Sequence, residues 1–435
     1  MRLKRLELWW RGLWIRILVA LMRRSAGAVP RWSERPHRVL FLRHDRAGDM
    51  ILSTGTMRAI ARSHSAITMD VLASPANAAI LQASDWVRDV IVFDKRRLES
   101  YLPTMRRLRA ARYDAVIDCM VTAPSVTTLL LILASGARYR IGIAGRGNDA
   151  AFNLTVPPSP DPNAHMVERL AALVRAFDVD PRAIDRHPTI DLTSAERDAA
   201  EAIWGNTDGA RRVLVNVSAG ILARRWPVER YVAVMQHVRA LDGNVIFRVI
   251  GAPREMDRAE LVARDGGGTL VRTPSIRDAF ALVATADFVF TPDTSIAHAA
   301  AAFKVPCVAM YIRGTTERWG LYDSPGESVE HPSATLDDLG VERMIGAVDR
   351  VLAAPTARSG SERRSQRAVA NGASKRREGG QRGLGGRTAC LAVWQFRSHA
   401  VSTRGSLSSF APDLRFRSSL PPFATVVRRS RPSHH

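Results

Sequence analysis

Residues 291–298 read Thr291-Pro-Asp-Thr-Ser-Ile-Ala-His298 and run on into Ala299-Ala-Ala-Ala-Phe-Lys-Val-Pro-Cys-Val-Ala-Met-Tyr311. The apolar run Phe288-Val-Phe290 precedes them. The order is strand, polar turn, small-residue helix, second apolar strand. A parallel α/β sheet builds an anion site this way, because the first N–H groups of a helix lack internal partners and its dipole favours negative charge there. Asp293 or Thr294 is placed to cap the helix, and His298 falls about one turn in. An ordinary capped βαβ unit would read the same way, so the stretch settles the local fold before it settles a function.

The same alternation extends upstream. Arg38–Leu42, Ile67–Leu72, Val90–Phe93, Tyr113–Asp118 and Tyr139–Ile143 read as strands. Met50–Ser63, Asn77–Ala83, Leu98–Arg112 and Ser125–Ala134 read as helices between them. After a Pro- and Asp-rich stretch at Val156–Pro162 and a helix over His165–Phe177, alternation resumes. Its members are Arg212–Val217, a helix over Val228–Ala240, Val245–Ile250, and helices over Arg254–Ala263 and Ser275–Thr285. The pattern predicts two α/β halves, each a parallel sheet covered by helices. The expected domains are 38–180 and 181–356, flanked by an amphipathic segment, 1–37, and a tail, 357–435.

Two further βα turns carry polar groups. Arg43-His-Asp-Arg-Ala-Gly-Asp49 follows the first strand, and ligands of open parallel sheets bind beyond the carboxyl ends of strands. Gly48 permits close backbone approach. Asp49 stands where it is either a helix N-cap or a general base facing a cleft. Val217-Ser-Ala-Gly-Ile-Leu-Ala-Arg-Arg-Trp-Pro227 is the second turn. Ser218 and Gly220 fit a backbone-lined anion site, and Arg224 and Arg225 either neutralise phosphate or sit solvated on a loop. Asp178-Val-Asp180 has the spacing of a metal motif but lies in the connection between halves and reads as a solvated helix end.

The formal charge of +21 is concentrated at the ends: +7 over residues 1–37 and +13 over 357–435, leaving +1 for the 319 residues between. No nucleic-acid partner is therefore expected for the folded body. Cys119, Cys307 and Cys390 are far apart and form no zinc or disulfide pattern; a reducing compartment fits. In MRLKRLELWWRGLWIRILVALMRR, residues 1–24, Leu3, Leu6, Trp10, Leu13, Trp14, Ile17 and Leu21 share a helical face. Arg11 and Arg16 interrupt the apolar stretch, which falls short of the roughly 20 residues that span a bilayer. The expectation is a membrane-surface helix; the alternative is a helix packed on its own domain. Ser, Arg and Gly dominate the tail to about residue 390, and it is expected to be disordered.

Taken in order, Arg43-x-Asp45-x-x-Gly48-Asp49, Arg224-x-Trp226-Pro227 and Asp293-Thr-Ser-x-x-His298-x-Ala300 resemble the motifs of the family 9 glycosyltransferases, the ADP-heptose:lipopolysaccharide heptosyltransferases and relatives. The resemblance spans about residues 38–350. It implies a GT-B fold, two Rossmann-like domains facing across a cleft. It implies an inverting, metal-independent transfer with no cofactor, from a nucleotide sugar such as ADP-heptose to a lipid-linked saccharide. Asp49 matches the family's base, and Asp293, Thr294, Ser295 and His298 match its donor-sugar and diphosphate segment. Ser218, Gly220 and Arg224 join the donor site, and Glu255 matches a position that can hold the ribose. Arg43 and Arg46 are expected at the acceptor. Arg224 stands where members often carry Lys, and Ser295 where many carry Gly. Such an enzyme is expected in the cytoplasm, peripheral on the inner face of the inner membrane, where Arg106, Arg107, Arg109 and Arg112 either meet core phosphates or form a solvated basic face.

A nucleotide-sugar epimerase or reductase would need Gly-x-Gly-x-x-Gly after the first strand, and Arg43–Asp49 holds a single glycine. The alternative from another class is an Arg-rich nucleic-acid- or anionic-surface-binding protein on an α/β scaffold.

Overall fold

The computed structural model describes residues 2–22, 29–119, 125–145 and 149–354. The tail expected to be disordered lies outside the described residues. An N-terminal helix α1 (Arg2–Met22) precedes the first half. That half comprises β1 (His37–Arg43), α2 (Ala47–Ser63), β2 (Ile67–Ala73), β3 (Asp89–Val92), α3 (Tyr101–Ala111), β4 (Ala115–Asp118), α4 (Val126–Ser135), β5 (Tyr139–Ile143) and β6 (Leu154–Val156). The connection holds α5 (Met166–Ala171), tightening into a 3-10 turn to Phe177, and then α6 (Ser194–Trp204). The second half comprises β7 (Arg211–Asn216), α7 (Val228–Leu241), β8 (Val245–Ile250), α8 (Met256–Asp265), β9 (Thr269–Leu270) and α9 (Ile276–Thr285). It continues with β10 (Phe288–Pro292), α10 (Ser295–Ala302), β11 (Cys307–Tyr311), α11 (Thr316–Trp319), β12 (Gly326–Glu330) and α12 (Val341–Ala353).

All strand pairs are parallel. The first sheet runs β3-β2-β1-β4-β5-β6 and the second β12-β11-β10-β7-β8-β9. Counted within each half, both follow the order 3-2-1-4-5-6 of the doubly wound dinucleotide-binding fold. The strand order reverses between β1 and β4 in one sheet and between β7 and β10 in the other. The crevices of such folds open at these switch points.

Strands covered on both faces read as continuous apolar runs. In β1, Leu40 and Leu42 face a core with α1, α3 and α4, while Val39 and Phe41 face the core beneath α2 and α5. That second core continues through Ile296, Ala297, Ala299 and Ala300 of α10 into the other half, so α2 and α10 pack on each other.

The strands not anticipated, β6, β9 and β12, are all at or next to sheet edges, short, and polar or bounded by Pro, as edges that avoid pairing with other chains tend to be. Helix α6 announces itself by a capping box, Thr193 with Glu196, a signal of the S/T-x-x-E type. Glu196 also pairs with Arg277, tying α6 to α9. Asp178 closes the 3-10 turn in a left-handed conformation, φ 58°, consistent with a helix end.

The C-terminal end of helix α1 packs on its own domain. Leu18 and Met22 are buried against the first domain, and Arg140 Nη2 donates to the Met22 carbonyl at 2.6 Å. Trp10, Trp14 and Ile17 form a second stripe, 48%, 51% and 39% exposed. Among the described residues, no helix is long and apolar enough to cross a membrane.

Candidate active site

The β1–α2 turn is held from below by Arg43. Its side chain is 2% exposed, and Nε and Nη2 donate to the Asp49 carbonyl at 3.0 and 2.9 Å. Nη1 reaches Asp45 Oδ2 at 3.2 Å and Cys119 Sγ at 3.4 Å. Burial opposes the guanidinium charge, but Asp45, Cys119 and Asp49 outweigh it and raise the Arg43 pKa. Burial also raises the pKa of Asp45, against the pull of Arg43. Asn77 donates to the Arg43 carbonyl at 2.9 Å, and Ser74 to that of Asp45 at 2.9 Å. The guanidinium of Arg43, expected at the acceptor, faces inward and is committed to its own turn. Arg46, exposed at the N-cap of α2, does face the cleft.

Helix α2 starts at Ala47, three residues earlier than the sequence suggested, so Asp49 is not its cap but lies within its first turn. The acid there suits the helix dipole. Its carboxylate is partly exposed, 3.8 Å from Arg43 Nη2.

Across the cleft, Thr294 rather than Asp293 caps α10, accepting from Ile296 N at 3.3 Å. Asp293 instead turns to Arg224. Nη2 lies 2.7 Å from Oδ2, close but not aligned as a hydrogen bond, and Nη1 donates to the Asp293 carbonyl at 3.1 Å. Burial lifts the Asp293 pKa to about 6, Arg224 and Arg46 pull it down, and the Asp49 charge adds to the rise. Asp49 and Arg46 of one domain therefore act on the Asp293 carboxyl of the other.

His298 is buried, and burial lowers its pKa to about 3, so the imidazole is neutral at pH 7. Its Nδ1 has no hydrogen-bond partner among the described residues. The ring lies against Gly48.

The β7 turn completes the far wall. Asn216 donates to Thr291 Oγ1 at 2.8 Å and Thr294 Oγ1 at 3.1 Å and accepts from Ser218 N at 3.1 Å. Ser218 Oγ accepts from Ala252 N at 2.7 Å, while Gly220 is exposed and its carbonyl accepts from Arg254 at 3.1 Å. Trp226 anchors the arginine loop, fully buried with Nε1 on the Leu339 carbonyl at 2.9 Å. Glu255 is buried and takes Arg225 Nη2 and Nε at 3.0 and 3.2 Å on Oε1; Arg258 Nε lies 3.6 Å from Oε2, which has no hydrogen-bond partner among the described residues. Ser295, half-buried, opens α10. Among the described residues, no three His, Cys, Asp or Glu gather as a metal-binding group.

The structure thus brings Asp49, Arg46, Asp293, Thr294, His298 and Arg224 to one cleft, with Ser218 and Glu255 along its second-domain wall. Asn216 and Asn77 were not singled out in the sequence. The available signal was a lone Asn ending the apolar run Val213-Leu-Val215, since a buried amide must find partners. By contrast, Arg106 and Arg109 lie near the C-terminal end of α3, at the opposite end of the sheet from this cleft.

Two doubly wound parallel sheets meeting at their switch points, with a carboxylate on one lip and an arginine-braced helix N-terminus on the other, form the GT-B architecture of nucleotide-sugar glycosyltransferases. The sequence model of "Glycosyltransferase family 9 (heptosyltransferase)" matches residues 102–336, and the chain belongs to that family. It is 22% identical over 289 residues to the lipopolysaccharide core heptosyltransferase OpsX of Haemophilus influenzae, across 65% of this chain and 81% of that one. The fold is similar to a family 9 glycosyltransferase from Veillonella parvula, with TM-score 0.63 and 15% identity over 74% of this chain and 99% of that one. It is also similar to E. coli heptosyltransferase WaaC with ADP, with TM-score 0.59 and 19% identity over 72% and 99%. The protein is a glycosyltransferase.

Proposed function

We propose that the chain transfers heptose from ADP-heptose to a lipopolysaccharide core or related lipid-linked glycan, inverting the anomeric centre and using no metal. The observation that carries this is the opposition of Asp49 to the Asp293–Arg224 pair, close enough for Asp49 and Arg46 to act on the Asp293 carboxyl. A base on one lip and an anion site on the other is what in-line sugar transfer requires.

Asp49 takes the proton from an acceptor hydroxyl as that oxygen attacks the anomeric carbon. The carbon–oxygen bond to the diphosphate breaks on the opposite side, and the electron pair leaves with the diphosphate. Arg224 and the N-terminus of α10 meet the charge that develops there, a stabilisation that fixed donors supply without reorganising. Arg224 must turn from Asp293 to the diphosphate when the donor binds. Ser218 and Gly220 add polar contacts, Ser295 faces the donor sugar, and Glu255 takes a ribose hydroxyl on its carboxylate. Neutral His298 positions α10 against Gly48 and offers a hydrogen bond without competing positive charge. Arg46 meets the acceptor. Arg43 acts as a positioning residue, fixing the turn that aims Asp49.

The exposed Trp10, Trp14 and Ile17 support peripheral residence on the cytoplasmic face of the inner membrane, where a lipid-linked acceptor is presented. Incubating the chain with ADP-heptose and a heptose-deficient core acceptor, with and without a chelator, tests the reading. Heptosylated product in both tubes is expected; product only in the tube without chelator would refute the metal-independent mechanism.

A further inference from the structure

The geometry points to a second ligand site, remote from the sugar-transfer cleft: a pocket for the phosphate headgroup of an anionic phospholipid, where α1, α3 and α4 meet. A cavity of about 620 Å³ opens there, walled by Met22, Met105 and Leu133 and by Arg106, Arg109 and Arg140. None of the residues lining it is acidic. Apolar walls around converging guanidiniums match an amphiphile with an anionic head; a free sugar would call for carboxylates and amides.

The arginines differ in what they do. Arg140 is buried and already committed, holding the carbonyls of Ala151 at 2.8 Å and Met22 at 2.6 Å. It fixes the end of α1 to the pocket rim. Arg106 and Arg109 are exposed and have no ion-pair or hydrogen-bond partner among the described residues. Their neighbour Arg107, on another side of α3, is paired with Asp89 at 2.7 Å. Other surface arginines of this domain are also neutralised, Arg62 by Asp85 and Arg35 by Asp114. Arg106 and Arg109 line the cavity with their charges unpaired among the described residues. Gly136, with φ +61°, leaves room for the Arg109 guanidinium, which lies where a Cβ would stand.

The electrostatic sign is not obvious, since α1, α3 and α4 all end here and helix C-termini are negative. Each contributes roughly −0.5 of a charge. Three guanidiniums exceed three such ends about twofold, so the pocket stays positive. It also lies at the amino ends of the strands, beside Ala137 and Arg140 of the β5 region, and so belongs neither to donor nor to acceptor. A bilayer lipid is the occupant this setting favours: α1 bears exposed Trp10 and Trp14, Leu133 on the rim is 41% exposed, and Trp beside Arg suits an anionic interface. The inference rests on the proposed residence at a membrane surface and adds the residues that select anionic lipid.

The test is vesicle co-sedimentation of the full chain on phosphatidylcholine alone and with 30 mol% phosphatidylglycerol. The Arg106→Glu/Arg109→Glu variant is compared with Arg197→Glu/Arg343→Glu, a matched reversal at exposed arginines of the second domain. Arg106→Gln/Arg109→Gln backs up the first, and unchanged ADP binding reports folding. Each basic side chain at such a surface is worth about fivefold in binding. The pocket pair should lose more than tenfold on the anionic vesicles and the control pair threefold or less, with both unchanged on phosphatidylcholine. Equal losses would reduce the effect to bulk charge and overturn the pocket while leaving surface residence intact. Failure of the wild-type chain to bind either vesicle would remove surface residence and the pocket together. Thermal stabilisation by 10 mM inorganic phosphate that depends on Arg106 and Arg109 would assign the pocket to a soluble phosphate and overturn the lipid. A pocket-dependent change of oligomeric state by light scattering would assign it to a second copy of the chain and do the same.

Discussion

The imidazole of His298 occupies the space beside Gly48 where any other residue would carry its Cβ: that atom would fall 2.6 Å from Cδ2 and 3.1 Å from Nε2. The two residues come from opposite domains, one turn into α10 and one residue before Asp49 on α2. Their approach sets how closely the proposed base and donor walls can come.

Gly48→Ala therefore separates two effects of opposite sign. In a free helix the change stabilises by about 1 kcal/mol. Here it overpacks a buried ring, which costs about 1–3 kcal/mol. We expect a lower melting temperature and at least a tenfold loss of donor turnover. Gly243→Ala, with nothing within 4 Å of its added carbon, serves as the control and should keep activity.

Arg43→Lys keeps a positive charge but loses the fork that grips the Asp49 carbonyl through two nitrogens. We expect kcat to fall about 10- to 100-fold with the donor KM little changed, on the order of 1.4–2.8 kcal/mol of barrier. A purely acceptor-binding arginine would raise the acceptor KM and spare kcat.

Two groups of the cleft contribute to acid stability with opposite signs. His298 drops from 6.5 to about 3 on burial, so the folded state binds fewer protons than the unfolded one between those values, and stability falls as pH falls through that window. Asp293 rises from 3.8 to about 6, so the folded state binds more protons there, and stability grows as pH falls from about 6 towards 4. Between pH 4 and 7 the two nearly cancel, leaving the histidine ahead by less than about 1 kcal/mol, and His44, lowered by burial from 6.5 to about 4, adds to the loss on acidification. Urea titrations between pH 4 and 7 should show net loss on acidification. His298→Gln should flatten or invert that slope and Asp293→Asn should steepen it.

How far the sequence carried depended on burial. Continuous apolar strands such as Val213-Leu-Val215 and the order of three polar turns pointed to two Rossmann-like halves and to the cleft between them. Edge strands were lost because Gly326-Glu-Ser-Val-Glu330 is polar, carrying too little period to separate it from a loop. The inward direction of Arg43 is not legible in its motif, because a motif gives a residue's neighbours in sequence but not the direction of its side chain. The Asp293–Arg224 pair joins residues 69 positions apart in sequence, and nothing local to either announces it.

The proposed base is tested most directly by single-turnover transfer from ADP-heptose to a heptose-deficient core acceptor, comparing the full chain with Asp49→Asn. Asparagine keeps the shape and removes the proton acceptor. The expected result is a rate lower by about 10²–10⁴-fold with ADP binding and melting temperature preserved, and inverted anomeric configuration in the wild-type product. Transfer within a few-fold of wild type by Asp49→Asn would contradict it.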